Sequence, residues 1–331
     1  MQGGEGRLTR ASGRFAYAPG VVDAGLIEAI PNVSEGRDAA RLDRLAGAIT
    51  TSGATLLDRT ADPSHHRAVF TFAADAPAIR AAAVALARAA VAAIDLTAHA
   101  GVHPRIGALD VLPFVPLGAA TMADAVAVAH AVGREIGETL GVPVLMYEAA
   151  SRPPHRRSLE AIRRGGLAGL AARLHEPAWT PDYGPGTLHP TAGAMAVGAR
   201  GPLVAWNLVL DRPDLALARR IARTIRSSNG GLPCLKALGL PLAHTGQVQV
   251  SMNLTDYRTT SMAEVFTAVE IEAARGGVSI AASELIGLVP REALDDFATV
   301  APEFAARHRD AVLEDRLSSC GLPGLSPASP D

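Results

Sequence analysis

The sequence predicts an α/β protein of the α+β type, built from mixed β-sheets that pack with helices. A chain of 331 residues is too long for one small core, which indicates two α/β subdomains. Strand and helix patterns in the first half follow the order β-α-β-β-α-β-α-β, and its two successive strands favour a mixed sheet over strict alternation. The second half has the order β-α-β-α-β-α. These three observations together predict the fold class.

The first half contains most of the predicted elements. Apolar and β-branched runs predict strands at 26–30, 54–58, 68–73, 108–116 and 142–147. Helical periodicity predicts helices at 39–50, 77–94, 121–140, 159–164 and 167–174. Ser34 or Asp38 would cap the first of these helices. Thr121 and Asp124 predict a capping box at the third helix, which stops at Gly141.

The second half is predicted to have strands at 203–210, 247–254 and 278–283, with helices at 215–227, 261–276 and 291–296. Ser261 and Glu264 predict a capping box for the middle helix. We therefore expect subdomains at 26–200 and 201–305, after a disordered extension at 1–25 and before a C-terminal tail at 306–331. The end of the tail is rich in Ser, Pro and Gly, a composition typical of disorder.

Composition and charge argue against several classes of function. A net charge of −2 gives no support for a nucleic-acid partner or for an anionic membrane surface. Charges and glycines interrupt every apolar run, so none reaches the ~18 residues that a membrane-spanning helix needs. The first twenty residues carry three arginines and no apolar core, unlike a secretory signal. The chain has only Cys234 and Cys320, too few for a disulfide framework, so a cytoplasmic location is expected.

One short segment, 97–110, concentrates groups that can do chemistry. It contains His99, His103, Arg105 and Asp110, and it lies between a predicted helix and a predicted strand. Its glycine and proline disfavour helix, and loops held between rigid elements commonly carry catalytic groups. Two histidines with an arginine suit proton transfer beside a bound anion. Composition and spacing do not choose between the two histidines.

Two other segments could contact a substrate. The polar connection 59–67 offers His66 and Arg67 for this purpose, or it is a plain solvated loop. Metal chelation by His65 and His66 together is disfavoured, because adjacent residues of a strand point to opposite faces. At the start of helix 39–50, free backbone N–H groups and Arg37 could hold a carboxylate, although simple capping is the alternative.

A long irregular stretch, 179–193, is rich in proline and glycine and contains Trp179 and Tyr183. Long ordered loops in compact domains are commonly functional, and few charges with some aromatic surface favour a flat heterocyclic ligand. The alternative is a surface linker between the subdomains. Neither a dinucleotide-binding glycine motif nor a P-loop occurs anywhere in the chain.

Several motifs in consistent order resemble the formiminotransferase family, over roughly 26–300. They are Ile30-Pro31-Asn32-Val33-Ser34-Glu35-Gly36-Arg37, His103-Pro104-Arg105-Ile106-Gly107-Ala108-Leu109-Asp110, Trp179-Thr180-Pro181-Asp182-Tyr183-Gly184-Pro185, Gln249-Val250-Ser251-Met252-Asn253-Leu254 and Leu285-Ile286-Gly287-Leu288-Val289-Pro290. Separate motifs in one order are far more specific than any one of them.

The resemblance implies a glutamate formimidoyltransferase activity. In this family a formimino group passes from N-formimino-L-glutamate to N5 of tetrahydrofolate, the co-substrate, in histidine degradation and one-carbon metabolism. The resemblance also implies a ligand cleft between the two subdomains, a homodimer and no metal. Vertebrate relatives fuse this unit to a cyclodeaminase, which is expected here as a possible separate protein.

The family pattern assigns roles to individual residues of this chain. The catalytic general acid and base falls on His103. The folate-binding loop falls on Gly184, Pro185, Gly186, Thr187, Leu188, His189, Pro190, Thr191, Ala192 and Gly193. Arg105, Arg67, His66, Asn32 and Arg37 are expected to bind the formimino donor, whose carboxylates suit guanidinium forks.

Departures from the family pattern motivate alternatives. Thr60 stands where the family has an aspartate, Ala100-Gly101-Val102 replaces a Lys-Gly-Glu-like stretch, and the folate loop lacks its tryptophan. One alternative is a related formimino- or formyltransferase with another amine donor or acceptor. Another is a catalytically weak folate-binding protein. A third, a hydrolase that uses the histidines as metal ligands, lacks a motif with a carboxylate ligand.

Overall fold

The computed structural model describes residues 25–63, 65–99, 105–242 and 245–323. Within them the chain forms two α/β units, each built on its own β-sheet, which confirms the predicted fold class. The expected N-terminal extension, apart from Gly25, and the last eight residues of the expected tail lie outside the described residues.

The first unit has a seven-stranded sheet. Its strands are β1 (Leu26–Ala29), β2 (Asn32–Val33), β3 (Thr55–Asp62), β4 (Arg67–Ala74), β5 (Leu109–Leu117), β6 (Val144–Glu148) and β7 (Met195–Ala199); its helices are α1 (Ala39–Thr50), α2 (Ala76–Ala93), α3 (Met122–Leu140), α4 (Leu159–Arg163) and α5 (Gly166–Arg173). β3 pairs with β4, β1 and β2 both lie between β4 and β5, and β7 lies between β5 and β6. Because β5, β7 and β6 are parallel and the other pairs antiparallel, the sheet is mixed as predicted.

The second unit has a four-stranded sheet in the order β11-β8-β10-β9. Its elements are β8 (Val204–Leu210), α6 (Leu215–Ile225), β9 (Leu235–Pro241), β10 (Val248–Leu254), α7 (Met262–Arg275), β11 (Ile280–Ile286), α8 (Arg291–Val300), α9 (Pro302–Ala306) and α10 (Leu313–Ser319). All neighbouring strands are antiparallel. The expectation of a mixed sheet was therefore wrong for this unit.

Three strands were not predicted: β2, which has only two residues, and β7 and β9, each of which contains a glycine. β7 is an alanine-rich segment with a glycine, and any Cβ on Gly198 would lie 2.5 Å from the Tyr147 ring. β9 contains Gly239, whose missing side chain lets α6 lie directly on the strand: a Cβ there would be 2.3 Å from the Arg219 nitrogen. Such residues have low strand propensity by themselves. Pairing on both sides stabilises β7, and close helix packing stabilises β9.

Helices α1, α2 and α3 cover one face of the first sheet, where Phe70, Phe72 and Phe114 are fully buried. The alanines of α2 allow close helix contact. By length and composition alone, α2 could also cross a membrane. Ile79, Leu86 and other residues of α2 are buried against the sheet and its neighbours, as in the core helix of a folded domain.

We call the opposite face the first open face; Glu28, Asn32, Thr71, Val111 and Tyr147 lie on it. Near β6 and β7, α4 and α5 cover part of it. At its other end, Leu313 and Leu317 of α10 pack on the sheet. Within the expected C-terminal tail at 306–331, the two leucines of α10 therefore complete a small apolar core.

The two units meet at several points. Lys236 in β9 forms an ion pair of 2.8 Å with Glu160 in α4. After β11, Gly287 lies over Thr71, whose Oγ1 would be 3.9 Å from a Cβ at that glycine. A groove of ≈ 210 Å³ between the units is lined by residues of both, including Thr60 and His308. These contacts place the second unit over the first open face.

Replacement of Lys236 by methionine should change the free energy of unfolding by less than about 1 kcal/mol, although it breaks an ion pair between the units. Both side chains of the pair are largely exposed, at 41% and 59%, so water and salt screen the attraction. Chemical denaturation at low and at high salt would measure this. A double-mutant cycle with Glu160→Gln isolates the pair, and a coupling above 2 kcal/mol would contradict the prediction.

Candidate active site

The candidate site lies at one edge of the first sheet. β2 and β3 end there at Val33 and Asp62, and β4 and β5 begin there at Arg67 and Leu109. These ends meet because β2 is antiparallel to β4 and β5, and β3 is antiparallel to β4. The described residues of three segments distant in sequence, 34–38, 63–66 and 95–108, therefore converge. The expected polar loop at 59–67 belongs mostly to the paired strands β3 and β4, which leave only 63–66 between them.

The turn before α1 is filled by the buried side chain of Glu35. Its Oε1 accepts hydrogen bonds from the backbone N–H groups of Gly36, Arg37 and Asp38, at 2.8–3.1 Å, and Oε2 is 2.5 Å from Arg41 Nη1. Burial opposes ionisation, but these donors hold the pKa of Glu35 below its ordinary value. Asp38 caps α1 by accepting from the Arg41 nitrogen at 2.9 Å. The backbone N–H groups that could have held the carboxylate of a ligand therefore bind the carboxylate of Glu35 instead.

Arg37 lies on the outside of this turn. Its Nε donates to the carbonyl oxygen of Pro63 at 2.8 Å, which ties the 34–38 loop to the β3–β4 turn. Gly36 permits the close approach, because a Cβ there would lie 2.4 Å from the Asp62 carbonyl oxygen. A larger residue at this position would push the two loops apart.

His66 belongs to the convergent cluster and adopts a left-handed backbone conformation, with φ of 49°. Its Nδ1 accepts a hydrogen bond from the Gly36 backbone nitrogen at 3.1 Å. Burial lowers the pKa of His66, an effect that Glu35 opposes and Arg37 reinforces. The ring is therefore neutral near pH 7, with its proton on Nε2. The preceding residue, His65, contacts Asp62 instead, so the adjacent histidines have different partners.

His99 also reaches this cluster. It lies beyond the predicted helix, because α2 stops at Ala93 and a short turn follows at Leu96–Ala98. The His99 and His66 rings lie 4.1 Å apart between centroids, and the Arg105 guanidinium contacts the His99 ring nitrogens. Burial and then the Arg105 charge lower the pKa of His99.

Arginines dominate the charge of the cluster. Arg105 Nη2 donates to the His65 carbonyl oxygen at 3.1 Å. Asp110 accepts from the Ile106 nitrogen at 2.6 Å and forms an ion pair with Arg163, a residue of α4 that the sequence did not single out. Burial, and next the charge of Arg163, lower the pKa of Arg67, whereas Asp62 and Asp110 oppose this. Guanidinium groups thus approach one another here, an arrangement suited to an anionic ligand.

Not every predicted site residue falls within this cluster. His103 lies outside the described residues, between His99 and Arg105, which the structure does bring together. Asn32 lies on the first open face, where it is in register with Val69 and Val111. It is one residue before Val33, at which β2 ends at the edge of the site. Thr60, the departure from the family pattern in β3, lines the groove between the units rather than the cluster.

The predicted folate loop has two halves. Tyr183, just before it, packs on α3 and its hydroxyl is 2.9 Å from His130 Nδ1; the residues 184–187 that follow are exposed. The second half folds into a tight turn in which the backbones of His189 and Gly193 bond each other. The Thr191 oxygen accepts from Leu96 and the Ala192 oxygen from Ala108, at 2.8 and 2.9 Å. The second half therefore flanks both ends of the segment that carries His99, His103 and Arg105.

Glu28 is a further ionisable group, and it lies outside every segment that the sequence patterns singled out as a candidate site. It lies on the first open face, only 4% exposed, and burial raises its pKa to about 7 despite the nearby charge of Arg200. Its position within the apolar strand Leu26–Ala29 could have indicated a buried carboxyl group, because charged residues are rarely buried. Among the described residues, no group of three or more His, Cys, Asp or Glu side chains is arranged to hold a metal ion.

Comparison with known proteins agrees with this architecture. The family model described as "Formiminotransferase domain, N-terminal subdomain" matches residues 26–200, and "Formiminotransferase domain" matches 205–317. "Glutamate formimidoyltransferase" of Streptococcus pyogenes is 44% identical over 276 residues, covering 83% of this chain and 92% of the relative. The protein of the same name from Thermoplasma acidophilum is 42% identical over 82% of this chain and 91% of the relative. "Formimidoyltransferase-cyclodeaminase" of Gallus gallus is 38% identical over 93% of this chain but only 58% of the relative. The chain therefore belongs to the formiminotransferase family.

Proposed function

We propose that this protein is a glutamate formimidoyltransferase that transfers the formimino group of N-formimino-L-glutamate to N5 of tetrahydrofolate. The observation that carries the proposal is identity of 42–44% to proteins of that name, over more than nine-tenths of their length. The reaction belongs to histidine degradation and one-carbon metabolism. Tetrahydrofolate acts as co-substrate.

The charge of the site supports a dicarboxylate donor. N-formimino-L-glutamate carries two carboxylates, and guanidinium groups bind carboxylates through paired, charge-assisted hydrogen bonds. We assign Arg105 and Arg67 to these carboxylates, with Arg37, His66 and Asn32 at the margins of the same pocket. The neutral ring of His66 offers an Nε2–H donor without adding charge.

The transfer requires one proton to move twice, and we assign this role to His103. The N5 nitrogen of tetrahydrofolate attacks the formimino carbon, and N5 gives up its proton to the histidine as the new C–N bond forms. The histidine then returns that proton to the glutamate nitrogen while the old C–N bond breaks. A side chain with an ordinary pKa near neutrality can act in both directions.

We propose further that the loop 184–193 contacts the folate. Support comes from its second half, which is hydrogen-bonded to both flanks of the His103 segment. A homodimer in the cytoplasm, working beside a separate cyclodeaminase, is the physiological setting we propose.

The decisive experiment incubates the purified protein with N-formimino-L-glutamate and tetrahydrofolate. We expect 5-formimino-tetrahydrofolate and glutamate in equal amounts. N-formyl-L-glutamate and formimino derivatives of other amino acids, run in parallel, test the alternative donors. Folate binding without turnover of any donor would favour a catalytically weak folate-binding protein and contradict the proposal.

Replacement of Arg105 by glutamine should lower kcat/KM for N-formimino-L-glutamate about 10- to 100-fold, mainly through KM. A hydrogen bond to a charged group contributes about 1.5–3 kcal/mol, and glutamine removes the charge. Steady-state kinetics would measure this, with Arg88→Gln on the exposed side of α2 as the matched control. An unchanged KM for the donor would exclude Arg105 from carboxylate binding.

A further inference from the structure

One buried polar group in the second sheet has no partner. Gln249 in β10 is only 4% exposed, and among the described residues its Oε1 makes no hydrogen bond. The neighbouring Val248 and Val250 point into the core beneath α6 and α7. Gln249 therefore points to the opposite face of the sheet. Buried amide oxygens are almost always paired, so this one has room in its hydrogen bonding for a donor from a ligand or a water molecule.

The surroundings of Gln249 form a mixed apolar and polar patch. Val209 and Leu240 flank it in register on the two neighbouring strands. One row away is Asn207, 8% exposed, whose Nδ2 donates to Glu284 Oε2 at 3.0 Å. Flat heterocycles bind at such surfaces, with apolar side chains against the ring and a few polar groups at its edge.

This face lies toward the first unit. Two contacts tie opposite edges of the second sheet to it: Gly287, which follows β11, lies over Thr71, and Lys236 of β9 pairs with Glu160. β8 and β10 run between these ties. Gln249 is therefore in the layer between the units, and that layer is open at the β9 edge, where Leu238 on the same face is 58% exposed.

The side-chain amide of Gln249 is complementary to a heterocycle edge that has a hydrogen-bond donor beside an acceptor. A carboxamide presents an acceptor and a donor side by side, and it forms two hydrogen bonds with a ring edge that offers a donor beside an acceptor. The aminopyrimidinone ring of tetrahydrofolate has two such edges, N3–H beside O4 and the 2-amino group beside N1. Phosphate or carboxylate ligands offer acceptors alone and would leave Oε1 unpaired.

We propose that Gln249 binds the pteridine ring of the folate co-substrate through two amide hydrogen bonds and thereby sets specificity for that ring. This inference rests on the proposed function and adds a residue from the second unit to the folate site. The loop 184–193 and the segment 97–110 belong to the first unit. Both units would then have to be in place for productive binding of folate.

The test is Gln249→Leu in the full-length protein, with Gln247→Leu, immediately before β10, as a control of the same type. We expect the Kd of tetrahydrofolate and of 6-methyl-tetrahydropterin to rise about 10- to 100-fold in the Gln249 variant. The inhibition constant of p-aminobenzoyl-L-glutamate, which lacks the ring, should stay within twofold. The KM for N-formimino-L-glutamate should also stay within twofold.

Measurement of the Tm distinguishes a variant that has lost ligand recognition from one that folds poorly. Replacing an unpaired buried amide by an apolar side chain of similar size should leave the Tm equal or higher. Gln249→Met serves as a second, more adaptable variant and should give the same pattern of constants. Equal loss of affinity for 6-methyl-tetrahydropterin and for p-aminobenzoyl-L-glutamate, which lacks the pteridine, or a lower Tm in both variants, would overturn the assignment.

The outcome also distinguishes this inference from the function on which it rests. If the wild-type protein binds tetrahydrofolate and both Gln249 variants bind it equally well, the inference alone is wrong. If the wild-type protein has no affinity for tetrahydrofolate or for 6-methyl-tetrahydropterin, the proposed function is wrong as well.

Discussion

Replacement of His103 by alanine should lower kcat about 10²- to 10⁴-fold and leave the Kd of tetrahydrofolate within twofold. General acid and base catalysis by one side chain contributes a factor of this size. The loss should appear in kcat rather than KM, because the proton is transferred in the transition state and not in the bound ground state. Single-turnover kinetics with N-formimino-L-glutamate, alongside a binding titration, would separate the two quantities.

Two further variants sharpen this test. His175→Ala is the matched control, because His175 is exposed in the first unit, just after α5, and should not affect any constant. His99→Ala examines the other histidine of the segment, whose lowered pKa makes it a weaker base. Full activity of the His103 variant, or a larger loss in the His99 variant, would move the catalytic role away from His103.

Replacement of Glu28 by glutamine should make the protein more stable than the wild type above pH 7, by about 3 kcal/mol. Glu28 is buried, and burial raises its pKa from 4.5 to about 7. The folded state thus holds a proton more tightly than the unfolded chain does, so wild-type stability falls as pH rises from about 4.5 through 7. One pKa unit corresponds to about 1.4 kcal/mol, and glutamine avoids the cost because it never ionises.

Urea denaturation at several pH values between 5 and 8.5 would measure this difference. We expect the two proteins to have similar stability near pH 5, where Glu28 is protonated in the folded state, and to diverge as pH rises. Glu303→Gln on the exposed surface of α9 should follow the wild type throughout. A difference between Glu28→Gln and the wild type that stays constant over this range would show that the carboxyl does not titrate as the burial implies.

Local sequence patterns were enough to identify the family and most of the helices, although α9 and α10 were not predicted and α8 runs four residues beyond its predicted end. Both capping boxes were predicted correctly, at Thr121 with Asp124 and at Ser261 with Glu264, and α1 has the predicted bounds. These features depend on residues three or four positions apart, so a local pattern contains all the information. The family motifs likewise needed only their order along the chain.

Features that depend on strand pairing and on contacts between distant segments became visible only in the folded structure. β7 and β9 are strands because of what packs on Gly198 and Gly239, and their own residues predict little. The hydrogen bonds of Glu35 at the start of α1 are a local feature that was not predicted, because their backbone donors lie only one to three positions after it. His99, in contrast, lies beside His66 because antiparallel pairing brings the described parts of three distant segments to one edge of the sheet, and no local pattern predicts that convergence.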